Sequence, residues 1–231
     1  MQFIKGQVKR NQKASTTLSK NKLFLSKAFK LPIYCLAIIP FLIMRLIRPW
    51  LLVRLGGLTS TRIGHFAANT ELYLCERDAG INVPNQRHID VFYMAYKPIC
   101  NQQLGIMWQR VLHIWPTLIL GTIDNINQLI PGGKLHEIGS NTQNDRDVHN
   151  LLDRFPPHLQ FTTEEESRGE AGLRAMGITE GAQFVCLIVR DNAYLDSHVS
   201  NDWNYHNYRN SDIQNYVLAA EELAERGRSE E

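Results

Sequence analysis

Arg62 and His65, in the stretch Arg62-Ile-Gly-His-Phe-Ala-Ala-Asn-Thr-Glu-Leu-Tyr-Leu74, stand where a chain can do chemistry on an anionic ligand. They follow an apolar run, Trp50-Leu-Leu-Val-Arg-Leu55, closed by Gly56-Gly57, and they precede residues with helical spacing. In open α/β sheets ligands bind beyond the carboxyl ends of strands, where glycine lets the backbone approach and a helix N-terminus attracts negative charge. An arginine there grips phosphate or carboxylate, and an imidazole takes or gives a proton near neutral pH. Asn69 and Glu71 are further substrate-binding candidates on the same helix. The plainer alternative makes Arg62 a solvated cap and His65 a hydrogen-bonded core histidine.

A second loop of the same kind favours the chemical reading. Phe184-Val-Cys-Leu-Ile-Val189 is an unbroken apolar run of strand length, which predicts a strand buried on both faces. It runs directly into Arg190-Asp191, with Tyr194 shortly after. Arg190 can clamp an anion bidentately and Asp191 can accept a hydroxyl proton, unless the two merely pair to tether the loop. His65 and Arg190 are expected to face one cleft. Trp203, Tyr205 and Tyr208 could stack on sugar rings or pack the loop. Asp145-Arg-Asp147 matches the Asp-x-Asp pattern that holds a divalent metal, but Asp147 reads as a helix cap, so no metal is expected.

The elements that must position these residues alternate between strand and helix from Pro49 onward. A strand over 50–55 feeds a helix from about Gly64 to Arg77, with Gly80 as its C-cap. A strand near 89–96 is followed by a helix over 102–112 and a short strand before Pro116. After a loop-rich middle, Asp147 caps a short helix, Thr163-Glu-Glu-Glu166 reads as a capping box, and Gly177 closes the helix it opens. Ser211-Asp-Ile-Gln214 opens a last amphipathic helix to Arg226. This order predicts a parallel doubly wound, Rossmann-like sheet. A crossover helix needs a following strand, and Arg228-Ser-Glu-Glu231 is too short and polar to be one, so a truncated chain is expected.

Charge is divided unevenly. Through Arg62 there are twelve Lys and Arg residues and no acid, whereas the rest carries 13 of the 25 basic residues and all 23 acidic ones, a net of −10. The chain divides into a basic, disordered or loosely helical arm (1–30), an apolar helix (31–48), a Rossmann-like domain (49–227) and a tail (228–231). The apolar segment is short of the ~20 residues that span a bilayer, so it predicts an interfacial or re-entrant helix on an anionic membrane surface, with a buried core helix as the alternative. The basic arm adjoins no folded recognition module, so no nucleic-acid partner is expected. Cys35, Cys75, Cys100 and Cys186 share no metal-binding spacing and read as buried free thiols in a reducing compartment. No Walker loop, GxSxG, HExxH or zinc-deaminase pattern occurs.

Three stretches in order, 62–74, 184–194 and Tyr208-Arg-Asn-Ser-Asp-Ile-Gln-Asn-Tyr216, resemble bacterial glycosyltransferases encoded with surface-polysaccharide genes. The resemblance covers about 49–227. It implies half of a GT-B-like architecture, sugar transfer from a nucleotide-sugar donor to a glycan or lipid-linked glycan acceptor, no cofactor and no metal, at the cytoplasmic face of the bacterial inner membrane. It places His65 or Asp191 as base, with Arg62, Asn69, Glu71, Arg190, Tyr194 and Arg209 on substrate. Family members continue past the last helix into a second domain that this chain lacks. The alternatives are an inactive membrane-bound interaction module, or another Rossmann-like enzyme acting on phosphorylated sugars.

Overall fold

The computed structural model describes residues 32–138, 146–198 and 204–228. The arm at 1–30, Asp145 and Trp203 lie outside them, as do the last three residues. Two compact units divide the chain, Met1–Gln160 and Phe161–Glu231.

The first unit is mixed α/β. Strands β1 (Leu52–Leu58) and β2 (His88–Met94) pair in parallel, with Leu52 opposite His88 and Leu58 opposite Met94. Single parallel bridges extend the sheet on both sides, Leu55 to Glu137 beyond β1 and Phe92 to Ile114 beyond β2. Where a short strand was expected before Pro116, only the single bridge at Ile114 forms. Successive residues of a strand face opposite ways, so each face takes its own helices. One face packs Leu55 and Val91 against helix α1 (32–47), through Ala37, Phe41 and Met44. Helix α4 (Thr117–Gln128) joins it there through Leu120 and Ile123. The other face packs Phe92 and Met94 under Phe66 and helix α2 (Thr70–Asp78), through Leu74. Helix α3 (Gln102–Val111) completes that layer through Trp108.

Gly56 and Gly57 do not close the first strand; they lie inside it. A Cβ on Gly56 would sit 2.8 Å from the Phe92 ring and 2.9 Å from Ile138, so packing, not a turn, demands a residue without a side chain. Helix α4 replaces what the sequence left unassigned between Pro116 and Pro131. Gly80 has φ +71 just beyond α2, as its C-cap role requires. Asp147 caps helix α5 (Leu151–Arg154) by accepting from the Leu151 and Leu152 N–H groups, each at 2.8 Å.

The second unit begins with helix α6 (Thr163–Ala175), whose capping box is Thr162 with Glu165, one residue earlier than the sequence pattern indicated. Gly177, at φ +88, ends it as expected. Helices α7 (Ala193–His198) and α8 (Val217–Arg228) follow, the latter entered through a 3-10 turn at Ile213–Tyr216. There Asp212, rather than Ser211, is the cap: its side chain accepts from Gln214 N at 3.0 Å.

The expected buried strand at 184–189 is not formed. The segment is irregular and its apolar side chains up to Ile188 are exposed, Ile188 itself at 87%, with Val189 half-buried. A β-rich run becomes a strand only when neighbours take its N–H and C=O groups, and no described residue does so. The cysteine expectation also divides: Cys75 is buried, Cys100 half-buried, and Cys35 and Cys186 are exposed.

Candidate functional site

The carboxyl ends of β1 and β2 lie side by side, and Ser60 stitches their loops together. Its hydroxyl donates to Tyr96 O at 2.6 Å, while its carbonyl accepts from Cys100 N at 2.8 Å. The β2 loop contains a cis Lys97–Pro98 bond. From the β1 loop the chain turns helical at residue 63, and residues His65–Asn69 form a π-turn leading into α2. Trp108 fixes that turn by donating its indole N–H to Phe66 O at 2.9 Å. Single π-turns are wide, and they occur often at functional sites.

Arg62 and His65 are both half-buried at this turn. Asn69, buried, brings its Nδ2 within 3.0 Å of His65 Nδ1. With the amide donating, Nδ1 accepts and the ring proton sits on Nε2. Half a turn of the amide presents its carbonyl instead, moves the proton to Nδ1 and leaves Nε2 able to take one. Asn69 thus sets the tautomer of a half-exposed histidine next to the first backbone N–H groups of a helix.

Gly64 adds a distinct sign. Its φ of −61° and ψ of −48° are helical and need no glycine, and beyond its own local backbone no atom of a described residue lies within 4 Å of where its Cβ would be. Glycine in a helix costs about 0.5–1 kcal/mol relative to alanine. Unlike at Gly56, no described residue packs where its side chain would be, as is also true of Gly169 and Gly172 in α6.

Glu71 is occupied elsewhere. Its Oε1 accepts both the backbone N–H and the Nδ1–H of His158, each at 2.9 Å, and His158 Nε2 donates to Asp78 Oδ2 at 2.9 Å. No spacing flags a contact between residues 87 apart in sequence, and His158 went unread. Glu71 Oε1, Cys75 Sγ and a His158 ring nitrogen lie within 4.8 Å of one another, a spacing a divalent ion could use. A ring that donates from both nitrogens is a cation and offers no lone pair, so the cluster as it stands is an ion-pair clamp. Burial lowers the His158 pKa, but the hydrogen bonds and charges of Asp78 and Glu71 outweigh it and hold the ring above the ordinary 6.5. The His158 hydrogen bond leads in holding Asp78 below the ordinary 3.8.

The signs define a window. A raised histidine contributes stability that is full below 6.5 and is lost as pH rises through the raised value. A lowered aspartate contributes above 3.8 and loses it as pH falls through the lowered value. The melting temperature is therefore expected to peak in weakly acidic buffer and to fall on the alkaline side. His158→Gln should flatten that alkaline arm in thermal scans against pH; an unchanged arm would refute the clamp.

Beside the same strand ends, a cavity of about 580 Å³ opens between α1 and α4, lined by Tyr34, Tyr93, Tyr96, Lys97 and Leu118 among others. Tyr93 donates to Asp124 Oδ2 at 2.7 Å beneath it. Burial, then Asp124, raises the Tyr93 pKa, so the phenol stays protonated.

Arg190, Asp191, Tyr194 and Arg209 belong to the second unit. The Arg190 carbonyl accepts from Ser211 N at 3.0 Å, Asp191 Oδ1 accepts from Ala193 N at 3.1 Å at the start of α7, and Tyr194 is partly exposed. The Arg209 guanidinium lies over the Tyr208 ring, 5.5 Å from its centroid. Asp191 and Arg209 are thus engaged locally, while His65 and Asn69 are brought together and Arg62 stands at the start of the same turn. Comparison of the chain with protein-family models, curated proteins and solved structures finds no match.

Proposed function

We propose that this chain is the acceptor-side, Rossmann-like half of a GT-B-type glycosyltransferase, moving a sugar from a nucleotide-sugar donor to a glycan or lipid-linked glycan acceptor. With the Asn69 amide turned so that its carbonyl accepts the Nδ1–H, His65 takes the acceptor hydroxyl proton through Nε2. Arg62 and the first helical N–H groups hold the leaving nucleoside diphosphate. The cavity beside Tyr96 and Lys97 offers room for the acceptor. The observation that carries the reading is where Gly64 stands rather than its exposure, which Gly169 and Gly172 share: a helical glycine next to Arg62 and His65 at the carboxyl end of a parallel strand. Close approach of a diphosphate to the backbone supplies a reason for glycine there.

The same residue gives the test. Gly64→Ala removes backbone freedom from the unfolded chain and is expected to stabilise the protein by about 0.5–1 kcal/mol. At the same time its methyl group obstructs the diphosphate, so binding of uridine and guanosine diphosphate sugars, followed by ligand-observed NMR, should weaken at least tenfold. Binding that is equally strong in wild type and variant, or absent in folded wild type, would overturn the reading.

A further inference from the structure

Helix α1 is apolar on every side except the flank from which Arg45 reaches the Pro131 carbonyl, yet the folded unit covers only part of it. Ala37, Phe41 and Met44, spaced i, i+4, i+7, are 2–5% exposed and pack on Leu55, Val91, Leu120 and Ile123. The opposite side presents Ile39, Leu42, Ile43 and Leu46, which are 52–73% exposed, and Trp50 just beyond the helix is 72% exposed. No charged residue interrupts that outward face. A helix hydrophobic all round is a buried one, so a second apolar environment has to cover the outward side.

We propose that this outward face lies in the surface layer of an anionic lipid bilayer, so that the protein is monotopic, with α1 docked to its own sheet on one side and to lipid on the other. Three observations select a membrane surface over a spanning helix or a protein partner. First, the described helix runs about 24 Å at ~1.5 Å per residue, below the ~30 Å of a hydrocarbon core, and among the described residues no helix is long and apolar enough to cross. Second, spanning would pull Ala37, Phe41 and Met44 out of the core they share with Leu55 and Val91. Third, the sequence before the helix carries Lys5, Lys9, Arg10, Lys13, Lys20, Lys22, Lys27 and Lys30 with no acidic residue, which complements anionic headgroups rather than an ordinary protein surface. Trp50, in the turn just beyond the helix, has the amphipathic ring that settles at the headgroup level. The cavity lined by Ile33 and Tyr34 of this helix would then open beside the lipid. The docking requires no enzymatic activity, so it stands or falls apart from the transferase reading.

The test uses the full chain and vesicles of defined composition. Wild-type protein should sediment with phosphatidylglycerol vesicles and at least tenfold less with phosphatidylcholine vesicles, with partial release by salt. A variant carrying Ile39→Gln, Leu42→Gln and Leu46→Gln alters only exposed side chains, so its melting curve should match wild type while its vesicle binding drops at least tenfold. Brominated lipid should quench fluorescence of the wild type more than that of Trp50→Phe. Three results would each overturn the proposal: no sedimentation of wild type, undiminished binding of the triple variant, or lipid-free dimers that the triple variant dissociates. The last would assign the face to a second copy of the chain.

Discussion

Arg54→Met will destabilise the protein by about 3–5 kcal/mol, the range for removing one partner of a buried ion pair. Arg54 and Asp90 sit opposite each other in the β1–β2 register, with side chains only 8% and 9% exposed. Arg54 Nε donates to Asp90 Oδ1 at 2.7 Å, its Nη1 donates to Asn82 O at 2.8 Å, and the Tyr73 hydroxyl donates to Asp90 Oδ2 at 2.6 Å. Burial, then the hydrogen bond and charge of Asp90, push the Tyr73 pKa far up, so the phenol remains a donor. Methionine fills the arginine volume but leaves a buried carboxylate with one neutral donor. The loss should appear as a fall in melting temperature on the order of ten degrees. The double variant Arg54→Met with Asp90→Leu removes the stranded charge and should recover most of that loss, because replacing a whole buried pair by apolar side chains is often neutral. Urea unfolding of the two variants decides it. A single-variant loss below about 1 kcal/mol, or a double variant worse than the single, would show that the pair is not buried as described.

That network also marks where sequence reading stops. The strand containing Arg54 was legible because its apolar run is short and is followed by glycines, and α2 and α3 were legible from spacing and from caps such as Gly80. Arg54 itself read only as one more basic residue, since its partner lies 36 positions away. Glu71 illustrates the same limit: its helical position was right, yet its partner His158 comes from a distant segment. Gly56-Gly57 misled because the aromatic ring of Phe92, which requires a bare backbone there, belongs to the other strand. The run at 184–189 misled in the opposite sense. Composition states what a segment can do inside a sheet, but only a neighbouring strand makes it one. Local signals, in short supply of partners, located Arg62, His65 and Asn69; the geometry then bound His65 to Asn69.

His65→Ala is expected to lower sugar transfer by about 10²–10⁴, the usual contribution of a positioned general base, while leaving the melting temperature within a few degrees of wild type. The stability half follows from location: His65 is half-buried at a π-turn held chiefly by Phe66 and Trp108. The activity half follows from the assigned chemistry, and two companion variants separate it from mere positioning. His65→Gln preserves a polar contact to Asn69 but cannot carry the proton, so it should lose as much activity as alanine. Asn69→Ala keeps the imidazole and removes the hydrogen bond that orients it, so it should lose less activity than alanine at position 65. Transfer is best measured in whole lysates of the source cells carrying each variant in place of the native chain. Arg62→Ala, assayed alongside, should weaken donor use through the lost anion contact. If His65→Ala retains transfer within tenfold of wild type, or if it unfolds as readily as Arg54→Met, then His65 is a packing residue and the base must be sought elsewhere, with Asp191 the next to test.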